Sequence, residues 1–221
     1  MADGNLLRLG GVSGLLAVVS MIPAYLVGYP DAPGSLLEAQ TYFDAESDMF
    51  VFSNGILPLL HTFFFLLFLG VLYGMLRSAA GEARPVAEGL PAVALAGGIV
   101  FATLSAAGFA AEIFYPAVLQ RFGELPSDTA FVLVSLTLSS WLYHYCQIGT
   151  SAMVLSTSLV AVGTRVLPGW LALAGFVVAL LTFLHFLFPL LAALVGLAWV
   201  AVVSAVMITG GSRGRRTRRT R

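Results

Sequence analysis

Four ionisable residues sit in or at the ends of otherwise apolar stretches: His61, Glu112, His144 and His185. Each stretch is long enough to cross a bilayer, where a titratable side chain is costly and marks a pathway, a ligand or a buried partner. Three imidazoles and a carboxylate form a donor set that zinc accepts. They could equally pass a proton, and two histidines on different helices could ligate haem. No two of the histidines share an expected helix, so there is no i, i+4 ligand pair. No nucleophile, phosphate-loop or paired-carboxylate motif occurs either. Asn54 and Gln147 extend the polar set, Asn54 on the same helical face as His61 and Gln147 on that of His144. A purely structural reading competes at every position. His185 and Glu112, near a membrane rim, can reach water along their own side chains. His144 lies between Tyr143 and Tyr145, close to Trp141, as in an interfacial aromatic belt.

The elements that carry these residues follow from composition. The chain has 221 residues, 59% hydrophobic and 10% charged, against about 25% charged in a soluble domain. Its solvent is therefore expected to be lipid. The spacing predicts an all-α bundle of six transmembrane spans, at about residues 7–28, 50–76, 91–115, 131–162, 170–187 and 190–209, followed by an Arg-rich tail at 210–221. A cleaved leader is disfavoured at the start, because Asp3 offsets Arg8 and the apolar run is long. Pro23 is expected to kink the first span rather than end it. The break between the last two spans is placed at Phe188-Pro189.

The stretch 131–162 is the expected centre. At about 100° per residue, Thr137, Ser140, His144, Gln147, Ser151 and Ser158 fall within an arc of roughly 80°. A second arc holds Ser135, Ser139, Cys146, Thr150, Ser156 and Thr157, and Trp141, Tyr145, Ile148, Ala152, Leu155 and Leu159 take the remaining face. Such a helix shows lipid one side and buries the other two. Small residues mark close helix contacts at Gly10 and Gly14, at Gly70 and Gly74, and along Gly98, Ala102, Ala106 and Ala110.

Arginine sets the orientation. All eleven basic residues are arginine, which excludes a lysine Schiff base. With six spans, Arg8, Arg77, Arg84, Arg165 and the tail fall on one side and only Arg121 on the other. Both termini are therefore expected in the cytoplasm of a plasma-membrane protein. The loop at 29–49, acidic and free of arginine, is then outside, with SLLEAQTYFDAES as a possible surface helix. The tail reads as an anchor to anionic lipid headgroups rather than a nucleic-acid site. Cys146 is the only cysteine, so no intramolecular disulfide forms.

For function, the residues favour a non-enzymatic integral membrane protein: a structural or partner subunit, in a homo-oligomer or with another membrane protein, or a binder of a small lipophile. No cofactor is implied and any metal is unspecified. A proton- or solute-coupled permease using the polar arc is one alternative, and a metal-dependent intramembrane enzyme the other. The expected site is a polar pocket near the outer rim, lined by His61 and His144 with Asn54 and Gln147. Glu112 is its third ionisable member, and His185 lies towards the lipid headgroups. Pro58, by withdrawing an N–H from the carbonyl of Asn54, would add an open acceptor to it.

Three local patterns carry a resemblance. Tyr29-Pro30-Asp31-Ala32-Pro33 follows the first span, Leu72-Tyr73-Gly74-Met75-Leu76-Arg77 closes the second, and Val166-Leu167-Pro168-Gly169-Trp170-Leu171 opens the fifth. In this order the chain resembles an uncharacterised family of small multi-span bacterial membrane proteins, grouped as a domain of unknown function and common in high-GC genomes. The resemblance covers nearly the whole chain. It implies the topology and assigns no substrate or catalytic residue.

Overall fold

The computed structural model describes residues 4–27, 48–81, 89–122 and 130–218, and among these every regular element is helical. The acidic loop with its expected surface helix lies outside the described residues. Helix α1 spans Gly4–Val27 and runs through Pro23 without ending there. Residues 48–51 lead into a π-helical turn, Phe52–Ile56, and then α2, Leu57–Gly81. In that turn Leu57 N–H bonds the carbonyl of Phe52, five residues back. Pro58 follows at once and has no N–H to give the next carbonyl. The widened turn and the proline are thus adjacent, and Ser53 and Asn54 inside the turn are buried.

Helix α3 spans Leu90–Glu112 and opens with Pro91 in its first turn. It stops short of the expected 115. Pro116 cannot donate to the carbonyl of Glu112, and after Ile113 the chain restarts as α4, Phe114–Phe122. Helix α5 is the longest at 35 residues, Ala130–Thr164. It ends at Arg165, which adopts a left-handed φ of 57°, the conformation that commonly closes a helix. Helix α6 is Gly169–Phe183, 15 residues, shorter than the expected fifth span because a turn at 184–188 replaces its last residues. Helix α7 begins at Pro189, where the break was expected, and continues to Arg218, so the start of the Arg-rich tail prolongs it. Five helical stretches are long and apolar enough to cross a membrane; α6 is apolar but shorter.

Contacts run α1–α2–α3–α5–α6–α7 and back to α1, closing a ring of six helices. Helix α5 also reaches across to α2 and α7, and 67% of its membrane-length window is buried, against 39–44% for the other long helices. It is the central helix its three-faced pattern requires. Its tightest neighbour is α3, and the reason is glycine. A Cβ on Gly97 would stand 2.7 Å from the carbonyl oxygen of Gly149, and one on Gly149 would stand 2.6 Å from that of Gly97. The two backbones touch where any side chain would hold them apart. The small residues of α3 therefore serve two faces: Gly97 meets α5, while Gly98 meets Leu69 of α2 and Ala110 is exposed. Gly10, Gly11 and Gly14 let α1 lie against Val71 and Phe68 of α2 and Ser204 and Ile208 of α7. Gly70 and Gly74 differ: both are exposed, with nothing described within 4 Å of an added Cβ.

Candidate functional site

From His144 to Ser158 the polar arc of α5 faces α6 and α7, whereas Thr137 and Ser140 are exposed. Three levels of contact align α6 antiparallel to it. Ser158 Oγ lies against Gly175, Ser151 Oγ donates to the carbonyl of Ala179 at 2.8 Å, and His144 meets His185. Helix α7 joins the same levels, with Trp199 beside Gly175 and Gly196 beside Thr150 and Thr182. At the last level Tyr143 O–H donates to the carbonyl of Pro189 at 2.6 Å. The turn at 184–188 thereby becomes the place where His185 is presented to α5.

The two imidazoles form one hydrogen bond, His144 Nδ1 to His185 Nε2 at 2.9 Å, with ring centroids 5.0 Å apart. Their tautomers follow from the partner. His185 Nδ1 lies 2.9 Å from the carbonyl oxygen of Thr182, which can only accept, so Nδ1 carries the hydrogen. In the neutral pair, His185 Nε2 is then an acceptor and His144 Nδ1 must donate to it. His144 Nε2 is left as a lone pair, with no hydrogen-bond partner among the described residues. His185 is 5% exposed, whereas His144 is half-buried. Trp141 packs its ring edgewise on His144, Tyr143 packs likewise on both imidazoles, and Phe186 does so on His185. Trp141, Tyr145 and Phe186 themselves are exposed, so the pair stands beside exposed aromatic rings.

The other expected residues are distributed differently. His61 donates from Nδ1 to the carbonyl of Ala17 on α1 at 2.9 Å, stacks on Phe65 and meets Phe101 edge-on. Its Nε2 is buried with no described partner. Its surroundings are α1, α2 and α3, and none of its contacts is with His144. The expectation was one pocket lined by both histidines; the described contacts of His61 are with α1, α2 and α3 and those of His144 with His185, at the end of α6, and its own helix. Helix α2 meets α5 less extensively than α3 does. Asn54 is buried and bonds the carbonyl of Phe50 within its own helix at 3.3 Å. Glu112 closes α3 between Ala111, whose carbonyl accepts from Ser135 of α5, and Ile113, which lies against Gly55 of the π turn. Gln147 stays on the His144 side, one turn deeper; it is buried, and its Oε1 has no described partner. His185, expected at the headgroups, is the residue that completes the pair. Among the described residues no three His, Cys, Asp or Glu side chains converge as a metal site, so the four-residue zinc set does not assemble.

The fold and the site together define an apolar, all-helical, membrane-compatible bundle with a hydrogen-bonded imidazole pair between its central helix and the α6–α7 turn. Compared with family models, with curated proteins and with solved structures, the chain matches none.

Proposed function

We propose that this chain is a non-enzymatic, six-span protein of the plasma membrane that holds the polar head of a small lipophile at the His144–His185 pair. The observation that carries it is the open lone pair of His144 Nε2, fixed in its tautomer by His185 and set beside exposed aromatic rings. An acceptor at the edge of hydrocarbon is satisfied by water or by a donor head, an alcohol or a phenol, whose apolar tail stays in lipid.

Six crossings are supported by the antiparallel alignment of α6. From Gly169 to His185 it follows α5 over the levels of Ser158, Ser151 and His144. The 20 residues from His144 to Thr164 rise about 30 Å, the thickness of the hydrocarbon core. The turn at 184–188 would complete what α6 alone is too short to do. Both termini would then be cytoplasmic, with the Arg-rich end of α7 on anionic headgroups, and the imidazole pair would lie at the outer rim. The open face at Gly70 and Gly74 suits a membrane partner or a second copy. A proton-coupled permease is less well supported: the hydrogen-bond chain ends on the carbonyl of Thr182, which has no proton to hand on.

The test compares a prenyl alcohol with its methyl ether, read by the fluorescence of Trp141 in a variant carrying Trp170→Phe and Trp199→Phe. The alcohol is expected to bind roughly two- to tenfold tighter, the range of one net hydrogen bond. His144→Phe should erase the difference. Equal binding of alcohol and ether to the unsubstituted site would contradict the reading.

A further inference from the structure

We infer that the turn joining α6 to α7 stays inside the hydrocarbon, just beneath the outer headgroups, and that lipid acyl chains are the partner of its exposed side chains. The sequence sets this connection apart from the others. The connection between α1 and α2 carries Asp31 and Glu38, that between α2 and α3 carries Glu82 and Arg84, that before α5 carries Glu124 and Asp128, and Arg165 lies between α5 and α6. From there to Arg213 no charged residue occurs, and His185 is the one ionisable side chain. In the turn Phe186, Leu187 and Phe188 are each more than half exposed, and Leu190 and Leu191 beyond it are exposed too. The polar side chain of the turn, His185, is the buried one. A turn that meets water carries its polar groups outward.

Hydrocarbon offers no partner to a free backbone N–H or C=O, so a turn within it must find partners in its own chain. This one does. Leu184 N–H donates to the carbonyl of Leu180, Leu187 to Leu184, Phe188 to His185 and Ala192 to Phe188, at 2.9–3.1 Å. Two further carbonyls are met by side chains. That of Thr182 accepts from His185 Nδ1 at 2.9 Å, and that of Pro189 accepts from Tyr143 O–H, reaching over from α5, at 2.6 Å. Pro189 opens α7 and has no N–H to satisfy. Tyr143 and His185 thus do for this turn what water does for a surface loop. A turn at this depth closes the last two spans on the hydrocarbon side of the rim, so the sidedness of the termini is unchanged. On the lipophile reading, the polar head then reaches the imidazole pair sideways from the outer leaflet; that consequence rests on the reading, whereas the placement of the turn does not.

The test places a nitroxide on the turn through Leu187→Cys, in the full chain reconstituted into phosphatidylcholine–phosphatidylglycerol vesicles. Cys146 is buried and stays in place. Electron paramagnetic resonance reads the collisions of the label with oxygen, which concentrates in hydrocarbon, and with a neutral nickel chelate, which stays in water on both sides. A label at Glu82→Cys, in the charged connection between α2 and α3, is the aqueous reference. The expected result at position 187 is frequent collision with oxygen and loss of the chelate collisions seen at position 82. Phe186→Cys, on a neighbouring exposed side chain, repeats the reading, and circular dichroism verifies that each variant is folded. Chelate collisions equal to those at position 82 would place the turn in water. Collisions with neither reagent would mean that a protein partner or a second copy covers it. Either result overturns the inference. No lipophile is present, so this result and the comparison of alcohol with ether stand or fall separately.

Discussion

At the scale of single residues, several of the polar groups in the bundle are spoken for by their own backbone. Ser53, Asn54, Thr62, Thr150, Ser158 and Thr182 all bond a carbonyl four residues back, which is how hydroxyls and amides are tolerated where water is absent. His61 links two helices, and its role is read as structural. His61→Phe keeps the packing against Phe65 and Phe101 but loses the bond to Ala17, so it is expected to cost about 1 kcal/mol. Unfolding of the two proteins in mixed detergent would measure this, and a loss of ligand binding in a stable His61→Phe protein would contradict it. His144 was legible as a candidate from its place on the polar arc. Its partner was not. Which helix turns a histidine towards it depends on where α6 stops, and nothing in the apolar run 170–187 marks that end before Pro189.

At the scale of elements, the sequence revealed which segments are helical and which helix is central, because a three-faced pattern in an apolar run admits only one placement. It did not reveal which small residues meet. Gly97–Gly149 is the contact that brings α3 onto α5, and it lay outside the four-residue stripe that starts at Gly98. Glycine spacing identifies helices able to approach closely, but the rotation of each helix decides which ones do so. Gly149→Ala must push the α3 backbone away and is expected to cost about 1–3 kcal/mol, the usual range for overpacking. Gly70→Ala and Gly74→Ala, with open space around them, should change monomer stability by no more than about 0.5 kcal/mol. Thermal denaturation of the three variants in detergent separates these outcomes, and equal losses at Gly70 and Gly149 would mean the α3–α5 contact is wrongly placed.

At the scale of the whole molecule, the alignment of α6 supports the six crossings on which the arginine argument for the proposed cytoplasmic termini depends. Cysteine labelling in cells, with Cys146 left in place because it is buried, should find a cysteine at position 40 reachable from outside and one at position 82 only from inside. Labelling of both from one face would overturn six crossings. The function proposed depends on a narrower fact, that this bundle brings exactly two of its three histidines into one hydrogen bond. The chain has only three imidazoles, so histidine labelled with nitrogen-15 gives a spectrum simple enough to decide it. Solid-state magnetic resonance of the labelled protein in lipid bilayers should show one nitrogen–nitrogen coupling across an N–H···N bond. That coupling should vanish in His144→Phe and persist in His61→Phe. Three imidazoles without mutual coupling would contradict the pairing and, with it, the lipophile reading.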